Sequence, residues 1–395
     1  MTKTNCLTRH LLLSALFMLA AAIPNGLFAQ STTSGSNVIS TAVPFLTIAP
    51  DSRAGAMGDA GVATSPDMNA QHWNAAKYAF IENELGVSLS YSPWLRNLVD
   101  DINLAYLAGY KRIDDLQVIS ASLRYFSLGD ITFYDGNATF IGQQNPNEFA
   151  IDFAYSRLLS EKFSGSVAIR YIRSDLTGGL PVGGVETHAG NSFAADIAFY
   201  YRNQLRRNRR NSVFSTGINI SNIGSKISYD DGENKDFIPA NLRLGVSYET
   251  ELNNDNAIGL AFDMNKLLVP TSSYVSIADE DGVIVGGYQE DKSVLSGILS
   301  SFTDAPGGFK EEMQEINLSF GIEYWYQRQF ALRAGYFYEH ENKGNRKFAT
   351  VGAGFKLNVF LLDFSYLFPT QQNHPLANTL RFSLAFNLDQ LNSKR

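Results

Sequence analysis

Apolar and polar residues alternate along much of this chain, and this alternation constrains the fold more than any other feature of the sequence. In the last alternating segment, Leu380, Phe382 and Leu384 point to one side, and Arg381 and Ser383 point to the other. A period of two is typical of β-strands that have one apolar and one polar face. Fourteen segments show it, at residues 84–93, 102–111, 116–127, 147–157, 162–173, 192–203, 212–221, 240–250, 256–266, 315–326, 329–339, 347–357, 358–367 and 378–388.

The length of these segments indicates a barrel that spans a membrane. Each has about ten residues, which is what a tilted strand needs to cross the hydrocarbon core of a bilayer. A soluble barrel or sandwich also alternates, but its strands usually have about five or six residues. With a mean hydropathy of −0.12, the chain is not typical of a helical membrane protein. We therefore predict an all-β fold, a 14-stranded antiparallel transmembrane β-barrel.

The connections between the segments predict which side of the membrane each end faces. If the first strand runs outward, the external loops are 94–101, 128–146, 174–191, 222–239, 267–314, 340–346 and 368–377. The periplasmic turns are then 112–115, 158–161, 204–211, 251–255, 327–328 and the join near 357–358. Nearly every external connection is longer than nearly every periplasmic one, as is usual for outer-membrane barrels. We expect a location in the cell outer membrane, with both termini of the barrel periplasmic.

The residues before the first strand fall into two parts. Residues 1–29 have the pattern of a signal peptide, because Lys3 and Arg9 precede an apolar run and Ala29 fits a cleavage site. The alternative, a transmembrane anchor, is disfavoured because the apolar run is short. Residues 30–83 do not alternate and are too few for a separate domain. We expect them to form a leader and an N-terminal hatch that plugs the barrel of residues 84–395.

The sequence offers no arrangement typical of an active site. It has no G-x-S-x-G, H-E-x-x-H, P-loop or complete G-x-G-x-x-G motif. Its one cysteine, Cys6, lies in the predicted signal peptide. His72, His188, His340 and His374 are scattered, which favours ordinary side chains over a metal site or a catalytic triad. The acidic clusters at 230–233 and 279–282 leave Ca²⁺ binding open, although their spacing is not that of an EF-hand. We predict no catalytic, cofactor-binding or metal-binding residue.

Two connections stand out as possible contact surfaces. The predicted periplasmic turn 204–211 and its flank carry Arg202, Arg206, Arg207, Arg209 and Arg210. These arginines are either solvated at the membrane edge or in contact with phospholipid headgroups or an acidic periplasmic partner. Loop 267–314 is longer than a barrel needs. Within it, an apolar stripe at helical spacing predicts a short helix that either packs over the barrel mouth or docks a partner. The stripe consists of Val294, Leu295, Ile298, Leu299 and Phe302.

The segment before the barrel resembles a known hatch. It reads APDSRAGAMGDAGVA at residues 49–63, followed by Asp67 and by QHWNAA at 71–76. This resembles the N-terminal hatch of the FadL-like outer-membrane family, which has a Gly/Ala-rich turn, an acidic residue and then W-N-P-A. Ala75 stands where the family has proline, which puts the conformation of that turn in doubt. The hatch motif residues are Arg53, Met57, Asp59, Asp67, Trp73 and Asn74.

Within the FadL-like barrels, the chain is most similar to the PorV-like (LptO) proteins of the type IX secretion system of Bacteroidetes. The resemblance implies a non-enzymatic shuttle for protein transport, with no cofactor. Such proteins take cargo bearing a C-terminal sorting domain from the type IX translocon barrel to the PorU-containing attachment complex, in contact with outer-membrane lipid. Two alternatives stay open: a FadL-like transporter of hydrophobic small molecules, which would need an apolar pocket beside the hatch, and an LPS deacylase, which would need an activated nucleophile.

Overall fold

The computed structural model describes residues 37–389, except for residues 97–98, 100, 135–138, 182–184, 208–209, 231–233, 272, 280–281, 289–291 and 372–374. The predicted signal peptide, most of the predicted leader, His374 and parts of both acidic clusters therefore lie outside the described residues. In the described part of the chain, no helix is long and apolar enough to cross a membrane.

The described strands and helices have the following bounds. The strands are β1 Leu85–Pro93, β2 Asn103–Arg112, β3 Gln117–Ser127, β4 Ile131–Tyr134, β5 Phe140–Gln144, β6 Asn147–Ser160, β7 Phe163–Asp175, β8 Gly190–Arg207, β9 Arg210–Gly224, β10 Asn241–Glu251, β11 Asn256–Leu267, β12 Ser273–Asp279, β13 Gly282–Tyr288, β14 Asn317–Tyr326, β15 Phe330–Tyr338, β16 Lys347–Leu357, β17 Phe360–Pro369 and β18 Leu380–Asn387. The α-helices are α1 Ser52–Gly55, α2 Ala70–Trp73, α3 Val294–Ser300 and α4 Phe309–Gln314, and the 3-10 helices are Pro44–Thr47, Ala75–Phe80 and Glu341–Lys343.

Fourteen of these strands form one closed antiparallel barrel, which confirms the predicted fold. Neighbours in sequence are neighbours in the barrel, except that the hairpins β4–β5 and β12–β13 stand outside it, and β1 closes the ring against β18. We call the end that carries these two hairpins the long-loop rim. The opposite end, where β1 begins and β18 ends, is the short-turn rim.

Alternation along the strands explains why these segments line a membrane-spanning wall. On β7, Val167 and Ile169 point outward, whereas Ser166 and Arg170 point inward and are buried. Ile169 is 67% exposed and Phe193 on β8 is 69% exposed. Every barrel strand carries exposed large apolar side chains. Such side chains are stable in hydrocarbon, and the closed ladder leaves no unpaired backbone along the wall. The outer face therefore suits an outer-membrane bilayer.

The structure differs from the sequence prediction mainly at the connections. The predicted turn 204–211 is largely strand, because β8 continues to Arg207 and β9 begins at Arg210. Sequence alternation did not reveal this extension because arginine and polar residues occupy both of its faces. The predicted loops 128–146 and 267–314 likewise contain the hairpins β4–β5 and β12–β13. The helix expected within loop 267–314 forms as α3, and α4 follows it.

Residues 37–83 run through the inside of the barrel. At the long-loop rim, the backbone N–H of Asn37 donates to the carbonyl of Asn342 at 3.0 Å. Midway, the N–H of Ser52 donates to Ser383 Oγ on β18 at 2.9 Å. At the short-turn rim, Arg112 of β2 donates to the carbonyl of Ile81. The segment thus crosses the lumen from one rim to the other before β1 begins.

Inward-facing glycines provide the space for this segment. A Cβ added at Gly335 of β15 would lie 2.1 Å from Gly58 N, and one at Gly321 of β14 would lie 2.5 Å from Met57 Cβ. These two glycines pair directly across their strands. Three strands further along the wall, a Cβ at Gly217 of β9 would lie 2.4 Å from the Val62 carbonyl oxygen. The inner wall carries no side chain at these three glycines, where residues 56–62 contact it. A side chain at any of them would collide with this segment.

Replacing Gly335 by alanine tests this fit. We expect Gly335→Ala to push residues 55–62 off the wall, because overpacking of this kind costs about 1–3 kcal/mol. Amide hydrogen exchange of residues 55–62 should then be at least about tenfold faster, while the barrel keeps its heat-modifiable mobility on gels. Gly259→Ala is the matched control, since its new Cβ would have no neighbour nearer than 3.8 Å. Equal exchange in both variants would contradict the proposed close fit.

Candidate functional site: a filled lumen and an apolar outer face

Arg53 joins the N-terminal segment to the barrel wall. Its Nη1 lies 2.7 Å from Asp67 Oδ2, and its Nη2 lies 2.9 Å from Glu323 Oε2 on β14. Glu323 also accepts from Arg333 Nε at 2.7 Å, and Arg333 reaches Asp363 at 2.6 Å. All five side chains are nearly fully buried. Because a buried charge is costly unless it is paired, this chain of alternating charges fixes the segment to β14, β15 and β17.

Trp73 and Asp51 hold the two short helices of the segment together. The Trp73 indole N–H donates to Asp51 Oδ1 at 2.6 Å, and the Ala54 N–H donates to Asp51 Oδ2 at 3.0 Å. The guanidinium of Arg243 lies 5.2 Å from the centre of the Trp73 ring. Burial, followed by the nearby Asp67 carboxylate, raises the pKa of Asp51 to about 6. The segment therefore contains an acid that titrates within the pH range of the cell envelope.

His72 is a neutral, buried side chain. Arg124 Nη2 lies 2.5 Å from His72 Nδ1, and arginine can only donate. His72 Nδ1 is therefore the acceptor, and the ring proton resides on Nε2, which has no hydrogen-bond partner in the described structure. Burial, together with the positive charges of Arg124 and Arg243, holds the pKa of His72 well below its usual value. The ring packs edge-on against Trp73 at 4.6 Å, which is a structural role.

Asn74 stabilises the turn in which the family has a proline and this chain has Ala75. Its Oδ1 accepts from the Ala76 N–H at 3.0 Å and caps the 3-10 helix Ala75–Phe80. Its Nδ2 donates to the carbonyls of Val62 and of Phe199 on β8, at 3.2 and 2.9 Å. The turn is thus held from both sides by the asparagine, so the alanine at position 75 does not prevent it.

The remaining hatch motif residues also contact the wall. Met57 is buried and packs with Ala60 and with Ala261 of β11. Asp59 has a φ of 61° and lies 3.4 Å from Arg381 of β18. All six motif residues therefore contact one another or the wall.

A cluster of charges supports the long-loop rim. Lys266 at the end of β11 lies 3.0 Å from Glu312 and 2.5 Å from Glu315. Lys343 lies 2.6 Å from Glu311 and 3.0 Å from Glu315. Burial raises the pKa of Glu311, but hydrogen bonds from Lys343 and Gly307 outweigh it and leave that pKa lowered. The cluster fixes α4 to the barrel end.

The predicted apolar stripe divides into a packed edge and an exposed face. Gly297 of α3 is buried, and an added Cβ there would lie 2.8 Å from the Phe237 ring. Val294 and Ile298 are half-buried, whereas Leu295 and Leu299 are 68% and 74% exposed. The helix thus packs on the barrel end through Gly297, and it also presents apolar side chains outward. Docking of a partner on these side chains stays a prediction.

Two residues that the sequence prediction omitted are also exposed at this end of the barrel. Phe309 and Met313 of α4 are 80% and 52% exposed, and Phe302, just after α3, is 46% exposed. Phe309 and Met313 are four residues apart, which is a helical spacing, but a helix of six residues is too short to give a periodic pattern in the sequence. We call Leu295, Leu299, Phe302, Phe309 and Met313 the outer apolar face.

The lumen beside the segment contains a cavity with a mixed lining. This cavity, of about 340 Å³ on the long-loop side of Trp73, is lined by charged residues such as Arg243 and Asp263 and by apolar residues such as Trp94 and Phe337. Deeper in the wall, Arg170 pairs with Asp152 and with Asp196, the latter at 3.0 Å. Among the described residues, no group of three His, Cys, Asp or Glu side chains is placed to hold a metal ion.

Comparison with known proteins assigns the chain to a family. One family model, described as type IX secretion system protein PorV, matches residues 31–274. The chain belongs to the PorV family. It is thereby placed among proteins of the type IX secretion system. No curated protein matches the chain.

Solved structures similar to this chain include two toluene transporters. The toluene transporter TodX of Pseudomonas putida is 12% identical, with 90% of this chain and 100% of that chain covered and a TM-score of 0.51. The toluene transporter TbuX of Ralstonia pickettii is 12% identical, with 85% and 97% covered and a TM-score of 0.46. A FadL homologue of Pseudomonas aeruginosa is 10% identical, with 89% and 100% covered and a TM-score of 0.43. The likeness to TodX supports the FadL-like fold of this PorV-family protein and nothing further.

Removing the Arg53 charge tests whether the buried ion pairs of Arg53 hold the N-terminal segment to the wall. In Arg53→Met, Glu323 and Asp67 lose a buried partner, which typically costs about 3–5 kcal/mol. We expect amide exchange over residues 51–76 to be at least about a hundredfold faster, with the barrel still closed. The control is Arg328→Met, whose 56% exposed side chain pairs with Glu249 and should contribute less than about 1 kcal/mol. Similar exchange in both variants would show that the Arg53 ion pairs do not hold the segment to the wall.

The raised pKa of Asp51 predicts a pH dependence of the segment. Because the folded pKa of about 6 lies above the ordinary value of 3.8, the packed segment binds a proton that the released segment loses. Its stability should therefore fall as pH rises from about 4 to about 6 and level off above that. In Asp51→Asn this change should disappear. Exchange of the Trp73 indole proton, corrected for its intrinsic pH dependence, is the measurement; an identical profile in both proteins would refute the assignment to Asp51.

Proposed function

We propose that this PorV-family protein binds cargo bearing a C-terminal sorting domain and carries it from the type IX translocon barrel to the PorU-containing attachment complex. The observation that supports this most is the outer apolar face, which has no covering in the described structure. Exposed apolar residues grouped in this way are typical of protein-binding sites. The charge cluster of Lys266, Lys343, Glu311, Glu312 and Glu315 holds α4, and Gly297 packs α3 on Phe237, so binding would not require the face to fold.

The proposal includes an orientation. The long-loop rim faces the cell exterior, and the short-turn rim, with both ends of the barrel, faces the periplasm. The long connections and the short turns support this assignment, since outer-membrane barrels usually have their long loops outside. Residues 30–83 act as the hatch, whose described part is fixed by Arg53, Asn74 and the glycines of the wall.

A transporter of hydrophobic small molecules is not favoured. Such a protein needs an apolar pocket beside the hatch. The cavity beside Trp73 also carries the charged side chains of Asp59, Arg243, Asp263 and Arg381, and Arg53 pairs with Glu323 where the segment meets the wall. Moving an apolar molecule past these groups would leave buried charges without partners. We also propose no enzymatic role, such as LPS deacylation, because the PorV and FadL-like families are not enzymes.

Making the outer apolar face polar tests the proposal. The triple variant Leu295→Ser, Leu299→Ser and Phe309→Ser should reduce co-purification of sorting-domain cargo from detergent-solubilised envelope by at least tenfold, because it removes exposed contacts and leaves Gly297 packed on Phe237. The matched control is Tyr134→Ser with Phe140→Ser, which are 60% and 61% exposed on the hairpin β4–β5. Undiminished recovery of cargo with the triple variant would rule out this face as the binding site.

A further inference from the structure

One strand of the closed barrel has an open edge at the short-turn rim. The ladder between β7 and β8 ends at the pair Phe163–Tyr201, whereas the ladder between β8 and β9 continues to Arg207–Arg210. Residues 202–207 therefore have a strand on one side only. The next longest stretch of this kind at this rim is residues 158–160 of β6, which continue past the last pair with β3. That stretch is partly closed, because the Leu158 N–H donates to the Leu116 carbonyl at 2.8 Å.

The open edge presents backbone groups in the pattern of an incomplete sheet. The Arg202 N–H donates toward β7, to the Lys162 carbonyl at 2.8 Å. In an antiparallel ladder, alternate residues direct their N–H and C=O groups to the same side. The N–H and C=O groups of Gln204 and Arg206 therefore point past the end of β7, where no described strand lies. Both residues are exposed. An unprotected edge of this kind is a template for one more strand.

Two arginines beside this edge, Arg202 and Arg206, face an open cavity. This vestibule of about 780 Å³ at the short-turn rim is also lined by Gln204, Arg328 and the carboxylates of Glu82, Glu249 and Glu251, among others. Arg328 lies 2.5 Å from Glu249 and 3.6 Å from Glu251, and its single charge offsets one of these two carboxylates. Arg202 and Arg206 have no acidic partner among the described residues. The edge therefore combines free backbone groups with unpaired positive charge.

We propose that an extended acidic segment of another protein adds to β8 as a strand along residues 202–206, with its carboxylates toward Arg202 and Arg206. Main-chain hydrogen bonds to Gln204 and Arg206 would provide the affinity, and alternate side chains the specificity. Under the proposed orientation this partner is periplasmic. A phospholipid headgroup fits less well, because these two arginines lie on the vestibule face of β8, and lipid cannot satisfy a row of backbone groups.

Binding of a defined peptide to the purified full chain tests the edge. The probe is a fluorescein-labelled decapeptide of alternating Thr and Glu, followed by fluorescence anisotropy in detergent at low salt. We expect saturable binding, at least tenfold weaker binding by a Thr–Lys decapeptide, and a similar loss when alternate backbone nitrogens of the acidic peptide are methylated. Because this assay uses purified protein, it does not depend on the proposed orientation or on cargo binding.

Variants of the hairpin separate strand addition from general attraction to charge. Gln204→Pro removes an N–H on the open side without removing a bond to β9, and Arg206→Glu reverses a vestibule charge; each should weaken binding at least tenfold. Arg210→Glu is the matched control, because residue 210 lies on the opposite face of the same hairpin, as Phe214 does, and it should leave binding within about twofold of wild type. Heat-modifiable mobility checks that each barrel is closed.

A disulfide test does not require any loss of binding. The only native cysteine, Cys6, lies in the predicted signal peptide, so a single cysteine can be introduced. An acidic peptide whose cysteine is activated as a mixed disulfide with thionitrobenzoate should exchange with the thiolate of Gln204→Cys, releasing thionitrobenzoate, at least tenfold faster than with that of Arg210→Cys. Equal rates, equal binding of the methylated peptide, no binding to the wild type, or displacement of the peptide by phosphatidylglycerol vesicles would each overturn the proposal; the last would favour a lipid contact.

Discussion

The requirement that every backbone polar group be paired within hydrocarbon underlies the rest of this structure. Fourteen antiparallel strands satisfy it by closing into a ring, in which β1 pairs with β18. Because successive side chains on a strand point to opposite faces, an apolar outer wall requires a largely polar inner wall. The lumen must then be filled, and its charges must be neutralised. Residues 37–83 meet both needs: Arg53 completes the charge chain of Glu323, Arg333 and Asp363, and Asn74 donates to the wall at Phe199.

Filling the lumen in this way supports the proposal that the protein works at its rims. Buried ion pairs and a segment in contact with wall glycines occupy much of the interior, even though the fold resembles that of a toluene transporter. The surfaces without internal partners lie at the two ends of the barrel. At the long-loop rim, Leu295 and Leu299 are exposed on α3, which packs on Phe237, and Phe309 is exposed on α4, which the charge cluster fixes. At the short-turn rim, β8 has an open edge beside Arg206.

Sequence alone predicted the barrel because one physical rule, a period of two over about ten residues, applies to every spanning strand. The motif from Arg53 to Asn74 is contiguous in sequence, and this is why it could suggest a hatch before any contact was known. The partners of these residues could not be predicted: Glu323 lies 270 residues from Arg53, and only the closed ring brings them together. The extension of β8 and β9 was missed because polar residues on both faces carry no alternation. Phe309 and Met313 were missed because α4 has only six residues.

The central claim is that this PorV-family protein works through its outer apolar face and not through its lumen. Hydrogen–deuterium exchange of the full chain in lipid nanodiscs, with and without a purified sorting-domain protein, tests it most directly. The account predicts that saturating cargo slows exchange in residues 294–302 and 309–313. Cargo binding that leaves these residues unchanged would contradict the account.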